Sequence, residues 1–198
     1  MSHSSFIALT GGPGGGKTTL IEELAHDSAW AGRFAALPEA IVAMRYLGIS
    51  VREKLFQRVM VYQQMAMEEA LERALDPQDR RIILCHRGAL DPLAYWLVQG
   101  WSQDEFFTYT KTTCADHYRR YSAVLHLVTA ADGALEHYRR WPGAERHEPA
   151  EQAVRLDGLL HQVWRDHPHY YRVGNEGRDW AAKAQEARAI LERYLPND

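Results

Sequence analysis

The chain has 198 residues, 46% hydrophobic and 25% charged, which is the balance of an ordinary water-soluble domain with ample material for a core. Its net charge of −3 provides no broad field for nucleic acid or an anionic membrane, so neither is an expected partner. Two cysteines, Cys85 and Cys114, exclude a disulfide framework and fit a reducing cytoplasm. The first residues lack the basic start and apolar core of a secretion signal, and no apolar run reaches the length of a membrane span, so one cytoplasmic domain over residues 1–198 is expected.

Residues 5–10 read as a first strand, carrying the apolar run Phe6-Ile7-Ala8-Leu9, and residues 17–26 as a first helix. Between them, residues 11–18 match G-x-x-x-x-G-K-[ST] in the strand–loop–helix setting that gives this pattern its meaning. Glycines let the backbone turn tightly and aim successive N–H groups inward. Those donors, with the positive end of the following helix, suit phosphates. On this reading Gly12, Gly14, Gly15, Gly16, Lys17, Thr18 and Thr19 bind ATP or GTP; Lys17 reaches the β- and γ-phosphates and the Thr18 hydroxyl ligates Mg²⁺.

Residues 33–37 form a short second strand that delivers Pro38-Glu39. Glu39 there is a general base for an attacking hydroxyl, a water-bridged Mg²⁺ contact, or a solvated glutamate opening a helix from Ala40. Residues 51–75 carry the longest helical pattern, with Leu55, Val59, Tyr62, Ala66, Met67, Ala70, Leu71 and Ala74 at three- and four-residue spacing, ended by Asp76-Pro77. Gln63, Gln64 and Glu68 on this helix either line an acceptor pocket or form its wet face.

Residues 81–85 make a buried-type strand in which Cys85 is an apolar filler. His86-Arg87-Gly88 follows at its carboxyl end, where many P-loop proteins place an Asp that holds Mg²⁺ through water. An imidazole is a poor ligand for so hard an ion, so Glu39 or Asp91 substitutes, or the ion rests on phosphates, water and Thr18. His86 itself is then a base, a substrate hydrogen-bond partner or a structural residue. Arg87 is a clamp for phosphate or substrate oxygens, and Asp91 orients Arg87 or caps the next helix. Helices over 90–99 and 103–121, a strand over 123–128 and a helix over 131–138 come next. The charged stretch 139–149, with Arg139, Arg140 and Arg146, is a lid bringing positive charge to a transferring phosphoryl group, or a solvated loop. A helix over 151–166, a strand over 169–173 and a helix over 179–194 close the chain; Asn175-Glu176-Gly177 between the last two is a turn or a contact to the nucleotide base.

Strands alternating with helices give a three-layer α/β fold with a mostly parallel five-stranded sheet and helices on both faces. Ligands in such folds sit beyond the carboxyl ends of the strands, so residues 11–18, 38–39, 86–88 and 129–130 should gather around one cleft.

The segments at 11–19, 38–40 and 87–95 together resemble the small AAA-type domain of kinase-like P-loop ATP/GTP-binding proteins. The second half, with residues 126–134, Tyr138, Arg146-x-Glu148, Ala153, Leu156-Asp157, Trp164, His167-Pro168, Asn175, Trp180 and Lys183, is similar to proteins of the TRPL-translocation-defect type, related to ribosylnicotinamide kinase-like and deoxynucleoside kinase domains. The resemblance implies a nucleoside- or nucleotide-kinase-like P-loop NTPase fold, ATP or GTP with Mg²⁺, and Arg146 and Asn175 on the nucleotide side; His86 departs from the Asp of the relatives. Two functions are expected. One is a small-molecule kinase using Lys17, Glu39, Arg87, Arg140 and Arg146, with a nucleoside-like or other metabolite acceptor against Glu39, Gln64, His86, Arg87, Asp91 and Tyr95. The other is a regulatory NTP-binding switch acting through a protein partner. Homodimerisation is compatible with either.

Overall fold

The computed structural model describes residues 5–44, 46–76, 78–138 and 149–195. Five strands, β1 (Ser5–Thr10), β2 (Phe34–Leu37), β3 (Ile82–His86), β4 (Ala123–Leu127) and β5 (Tyr170–Val173), form one parallel sheet in the order β2-β3-β1-β4-β5. β1 lies at the centre, with Ala8 opposite Cys85 of β3 and Val124 of β4. Its sequence and those of β3 and β4 are nearly continuous apolar runs because both sheet faces are covered.

Successive side chains of a strand point to opposite faces, and this splits the core in two. Ile7 and Leu9 of β1, Ile82 and Leu84 of β3, and Leu125 and Leu127 of β4 pack against Leu20 and Leu24 of α1 (Lys17–His26) and Ala187, Ile190 and Leu191 of α7 (Trp180–Glu192). On the other face Ala8, Ile83, Cys85 and Val124 meet Val61 of α2 (Lys54–Ala74), Leu93 and Trp96 of α3 (Asp91–Val98), and Leu160 and Trp164 of α6 (Ala150–Trp164). The buried Cys85 thiol, desolvated beside Glu68, is pushed well above its usual range, as suits a packed strand residue.

Several expectations are corrected. The pattern at 103–121 is two helices, α4 (Gln103–Thr110) and α5 (Cys114–Tyr118). Lys111 turns left-handed at φ 54°, and Thr113 restarts the chain with a capping box to Asp116. Residues 131–138 form no α-helix; turns there end in one 3₁₀ turn, Leu135–His137. The α2 face read from apolar spacing is also displaced: Leu55 and Tyr62 are exposed, while Phe56, Gln57, Met60, Val61, Gln64 and Glu68 are buried. Three of those six are polar, so hydrophobic periodicity points to the wrong side, and Gln64 and Glu68 are not on a wet face. Glu68 is satisfied by Tyr121 Oη at 2.6 Å, Arg120 Nε at 2.7 Å and Gln64 Nε2 at 2.9 Å. Tyr121 Oη in turn accepts from the Ala89 amide at 2.6 Å, so this network fixes the turn between β3 and α3.

Candidate active site

The loop between β1 and α1 is shaped by what lies behind it. Gly11 has φ 122°, and a Cβ there would sit 2.0 Å from the Leu127 carbonyl oxygen at the end of β4. Gly16 has φ 93°, and a Cβ there would meet the Trp180 ring of α7 at 2.2 Å. Neither position admits a side chain. The Gly12 amide donates to Asp157 Oδ1 of α6 at 2.7 Å, the Thr129 amide donates to the same oxygen at 3.0 Å, and the Ala130 amide donates to the Gly14 carbonyl at 3.2 Å. The loop is thus moored to β4, α6 and α7. The first turn of α1 has neither a side-chain cap nor an acidic residue, so its opening amides and helix dipole face the loop's concavity.

Lys17 is buried and folds back, donating from Nζ to the carbonyls of Gly11 at 2.7 Å and Gly12 at 3.0 Å. Burial pulls its ammonium down to about 7, with Arg87 acting in the same direction against Glu39, Asp91 and Asp157. Thr18 Oγ1 lies 3.1 Å from His86 Nε2, and His86 Nδ1 lies 3.8 Å from Glu39 Oε2. Burial, reinforced by Lys17 and Arg87 and opposed by Glu39, pulls the His86 imidazole down to about 4, so it is neutral at pH 7.

Arg87 joins the two sides of the cleft. Its Nε donates to Glu39 Oε1 at 2.7 Å, and its Nη1 to the Gly11 carbonyl and Asp91 Oδ2, both at 3.3 Å. Burial opposes its charge, but Tyr95, Glu39 and Asp91 outweigh that and hold the guanidinium above its ordinary range. The residue has φ 78°, a left-handed conformation that costs a side-chain-bearing residue about 1–2 kcal/mol and persists only where surroundings impose it. Asp91, at the first turn of α3, accepts from Thr10 Oγ1 at 2.9 Å and Trp164 Nε1 at 2.8 Å besides Arg87. It orients Arg87 rather than capping α3.

Beyond Glu39 and Arg87 a cavity of about 650 Å³ opens between α2, α3, α6 and the segment following β2. Its walls are mostly apolar, with Phe56, Met60, Tyr95 and Leu156, and Gln57 and Gln64 supply amides.

Glu39, Gln64, Arg87, Asp91 and Tyr95 therefore line one cavity. His86 stands beside Thr18 on the P-loop side. Asn175 is placed elsewhere: its Nδ2 donates to the carbonyls of Thr129 at 2.8 Å and Asp132 at 2.6 Å, and its Oδ1 accepts from Lys183 Nζ at 2.8 Å. In this arrangement it laces the loop after β4. Arg139, Arg140 and Arg146, the expected lid, lie outside the described residues.

Sequence reasoning assigned no role to Asp157 or His126. Asp157 accepts the Gly12 amide, and His126 Nε2 lies 3.1 Å from Asp157 Oδ2. Burial would raise the Asp157 carboxyl, but His126 and the amides of Gly12 and Thr129 outweigh it and hold the group below its ordinary value. Both residues fall within the second-half family pattern, His126 at the head of 126–134 and Asp157 in Leu156-Asp157, and that pattern is their sequence signal.

The sheet order, the moored glycine loop and the adjoining cavity define a P-loop α/β domain with the fold of nucleoside kinases. The chain belongs to the AAA domain family whose sequence pattern matches residues 6–182. No curated protein matches it significantly. Among solved structures it is similar to NadR protein in complex with NR, at 16% identity and TM-score 0.68, covering 99% of this chain and 53% of that one. It is also similar to deoxyadenosine kinase from M. mycoides with bound dCTP, at 15% identity and TM-score 0.57, covering 95% of this chain and 99% of that one. At these identities the likeness establishes the fold. Among the described residues no helix is long and apolar enough to cross a membrane.

Proposed function

We propose that the protein is a small-molecule kinase that transfers the γ-phosphoryl group of ATP or GTP to a hydroxyl of a nucleoside-like or other metabolite acceptor. The observation that carries this reading is the continuity of Arg87, which holds Glu39 in the cavity and at the same time touches the P-loop at Gly11. A regulatory switch needs no enclosed acceptor space opening onto its phosphate loop.

The phosphates of the donor lie in the loop from Gly12 to Gly16 and on the first-turn amides of Lys17, Thr18 and Thr19. Lys17 exchanges its two carbonyl partners for phosphate oxygens. The site also fits Mg²⁺. Among the described residues no group of three His, Cys, Asp or Glu side chains forms a cage, and this ion is commonly held by one or two protein oxygens, waters and phosphates. Thr18 Oγ1 supplies one oxygen, Glu39 is the nearby carboxylate, and neutral His86 adds no opposing charge. When bound, Mg²⁺ neutralises negative charge on the phosphates.

Glu39 accepts the proton of the acceptor hydroxyl as that oxygen forms its bond to the γ-phosphorus. The bond from the γ-phosphorus to the bridging oxygen breaks, and the electron pair leaves with the nucleoside diphosphate. Arg87 keeps the Glu39 carboxylate in place, and Lys17 and Arg87 offset the charge in transit. Arg140 and Arg146 enter this reading as lid cations, and Asn175 as a support for the nucleotide side.

The test is incubation with labelled ATP and GTP and a pool of nucleosides and hydroxylated metabolites, followed by mass analysis. A phosphorylated product is expected, lost in Lys17→Ala and reduced at least roughly 10²-fold in Glu39→Gln. Slow hydrolysis that no acceptor accelerates, or none, across a broad pool would replace the kinase with a regulatory NTP-binding protein.

A further inference from the structure

The acceptor cavity is electrostatically asymmetric along α3. At the N-terminal end of that helix its carboxylates, Glu39 and Asp91, are both paired with Arg87. Two further arginines, Arg52 and Arg155, also line the cavity, both on exposed residues. Arg155 Nη2 reaches the Val98 carbonyl at 3.4 Å, at the last residue of α3. Val98 is seven residues beyond Asp91, which is about 10 Å along the axis at the α-helical rise. Arg52 lines the same cavity from the segment that leads into α2. It precedes the start of α2 by two residues, and Lys54 in the first turn of α2 sits 5.3 Å from the Trp96 ring centroid and 5.2 Å from that of Trp101, around the end of α3. The neighbouring Val51 carbonyl is fastened to α2 by Gln57 Nε2 at 2.9 Å.

Neither Arg52 nor Arg155 forms an ion pair among the described residues, in contrast to Arg87. One weak bond to a carbonyl occupies one of the five N–H donors of the Arg155 guanidinium. Among the described lining residues, with acids and arginines ionised, the cavity carries one net positive charge, and its two acids are both engaged by Arg87. Two guanidinium groups facing a partly enclosed space match an oxyanion, which accepts paired N–H donors.

Resting on the kinase reading above, we infer that the acceptor is an anion: a hydroxylated metabolite whose carboxylate or phosphate group lies across the cavity from the hydroxyl that is phosphorylated. The hydroxyl sits at Glu39, the body of the molecule lies against Phe56, Met60 and Tyr95, and the anionic group rests between Arg52 and Arg155. A mere helix cap by Arg155 would leave Arg52 unexplained and would not select the charge of the acceptor.

The experiment measures kcat/KM with MgATP for matched sets: a hydroxylated molecule in neutral amide form, in carboxylate form and in phosphate-monoester form. Anionic members are expected to exceed the neutral one by at least tenfold, with the better of the carboxylate and phosphate arms identifying the group. In the double variant Arg52→Gln/Arg155→Gln this ratio should fall toward one through a rise in KM with little change in kcat, and in Arg52→Glu/Arg155→Glu it should invert. A neutral acceptor used as well as its anionic forms, or a ratio unmoved by the double variant, overturns the inference and leaves the kinase standing. If no acceptor of any charge is phosphorylated while nucleotide still binds, the kinase reading itself fails and this inference falls with it.

Discussion

On the proposed kinase reading, the donor and acceptor halves of the cleft are built from different materials. The donor half is backbone: residues 11–18 are contiguous, their shape is imposed by Leu127, Asp157 and Trp180 behind them, and what they present is amides and one lysine. The acceptor half is side chains from four separate stretches, Glu39, Gln57 with Gln64, Arg87 with Tyr95, and Arg155, around an open space of about 650 Å³. A backbone site binds what all nucleoside triphosphates share, whereas a side-chain site selects one molecule among many. Arg87 is the contact between them, and its left-handed φ is the backbone strain retained to make that contact.

This difference is sharpened most by removing the one side chain on which the donor half depends. Lys17→Ala is expected to lower phosphotransfer by roughly 10³-fold, in line with losses seen when one preorganised charge is removed from a reacting centre. Stopped assays with labelled ATP measure it, and an effect under tenfold would show that Lys17 stays on Gly11 and Gly12 during turnover. Next in size is the backing of the loop. Gly11→Ala combines φ 122° with a Cβ 2.0 Å from a backbone oxygen that has no rotamer to escape by. A loss of about 3 kcal/mol is expected, read as a fall in melting temperature of roughly 6–12 °C. Gln64→Ala, on the acceptor side, should instead spare nucleotide binding and act on the acceptor, so the two halves are separable by ligand.

The same contrast explains what was readable in the sequence. The strands and the P-loop were legible because contiguous apolar runs and a spaced glycine motif are local signals. Glu39 and Arg87 were legible from their place just after strands β2 and β3. The buried face of α2 was not, since Gln57, Gln64 and Glu68 are buried for the cavity and the Tyr121–Arg120 network, against the apolar periodicity. Asp157 was silent for another reason. It holds Gly12 from 145 residues away, and no local pattern reports a contact of that separation. The break at Lys111 was lost because its left-handed turn carries no glycine.

A smaller, pH-dependent effect tests how the donor half stores its charge. Lys17 titrates at about 7 in the free protein instead of 10.5, because burial and Arg87 disfavour the ammonium. Between those values the unfolded chain binds this proton and the folded one does not, so the Lys17 contribution to stability rises with pH from about 7 toward 10.5. Nucleotide phosphates reverse the preference by favouring the charged form. Binding at pH 8 should then take up a proton, and affinity should weaken by up to about tenfold per pH unit above the free-protein value. Calorimetry in two buffers of different ionisation heat reads the uptake directly. No uptake would mean that Lys17 is already charged before the phosphates arrive.

The smallest expected effect lies at the seam between the halves, at His86. Its imidazole is neutral at pH 7, with Nε2 3.1 Å from Thr18 Oγ1 and Nδ1 3.8 Å from Glu39 Oε2. A neutral nitrogen contributes little to a hard cation, so the Mg²⁺ dependence of this site should rest on Thr18 and the phosphates. His86→Asp replaces that nitrogen with an oxygen donor and adds a negative charge beside Thr18. Mg²⁺ affinity, titrated through a fluorescent ATP analogue, should therefore hold or rise by a few-fold. The added charge also stabilises Lys17 as an ammonium, so the proton uptake at pH 8 should shrink in the same variant. A fall in Mg²⁺ affinity would instead assign the imidazole the task of orienting the Thr18 hydroxyl through the contact at 3.1 Å.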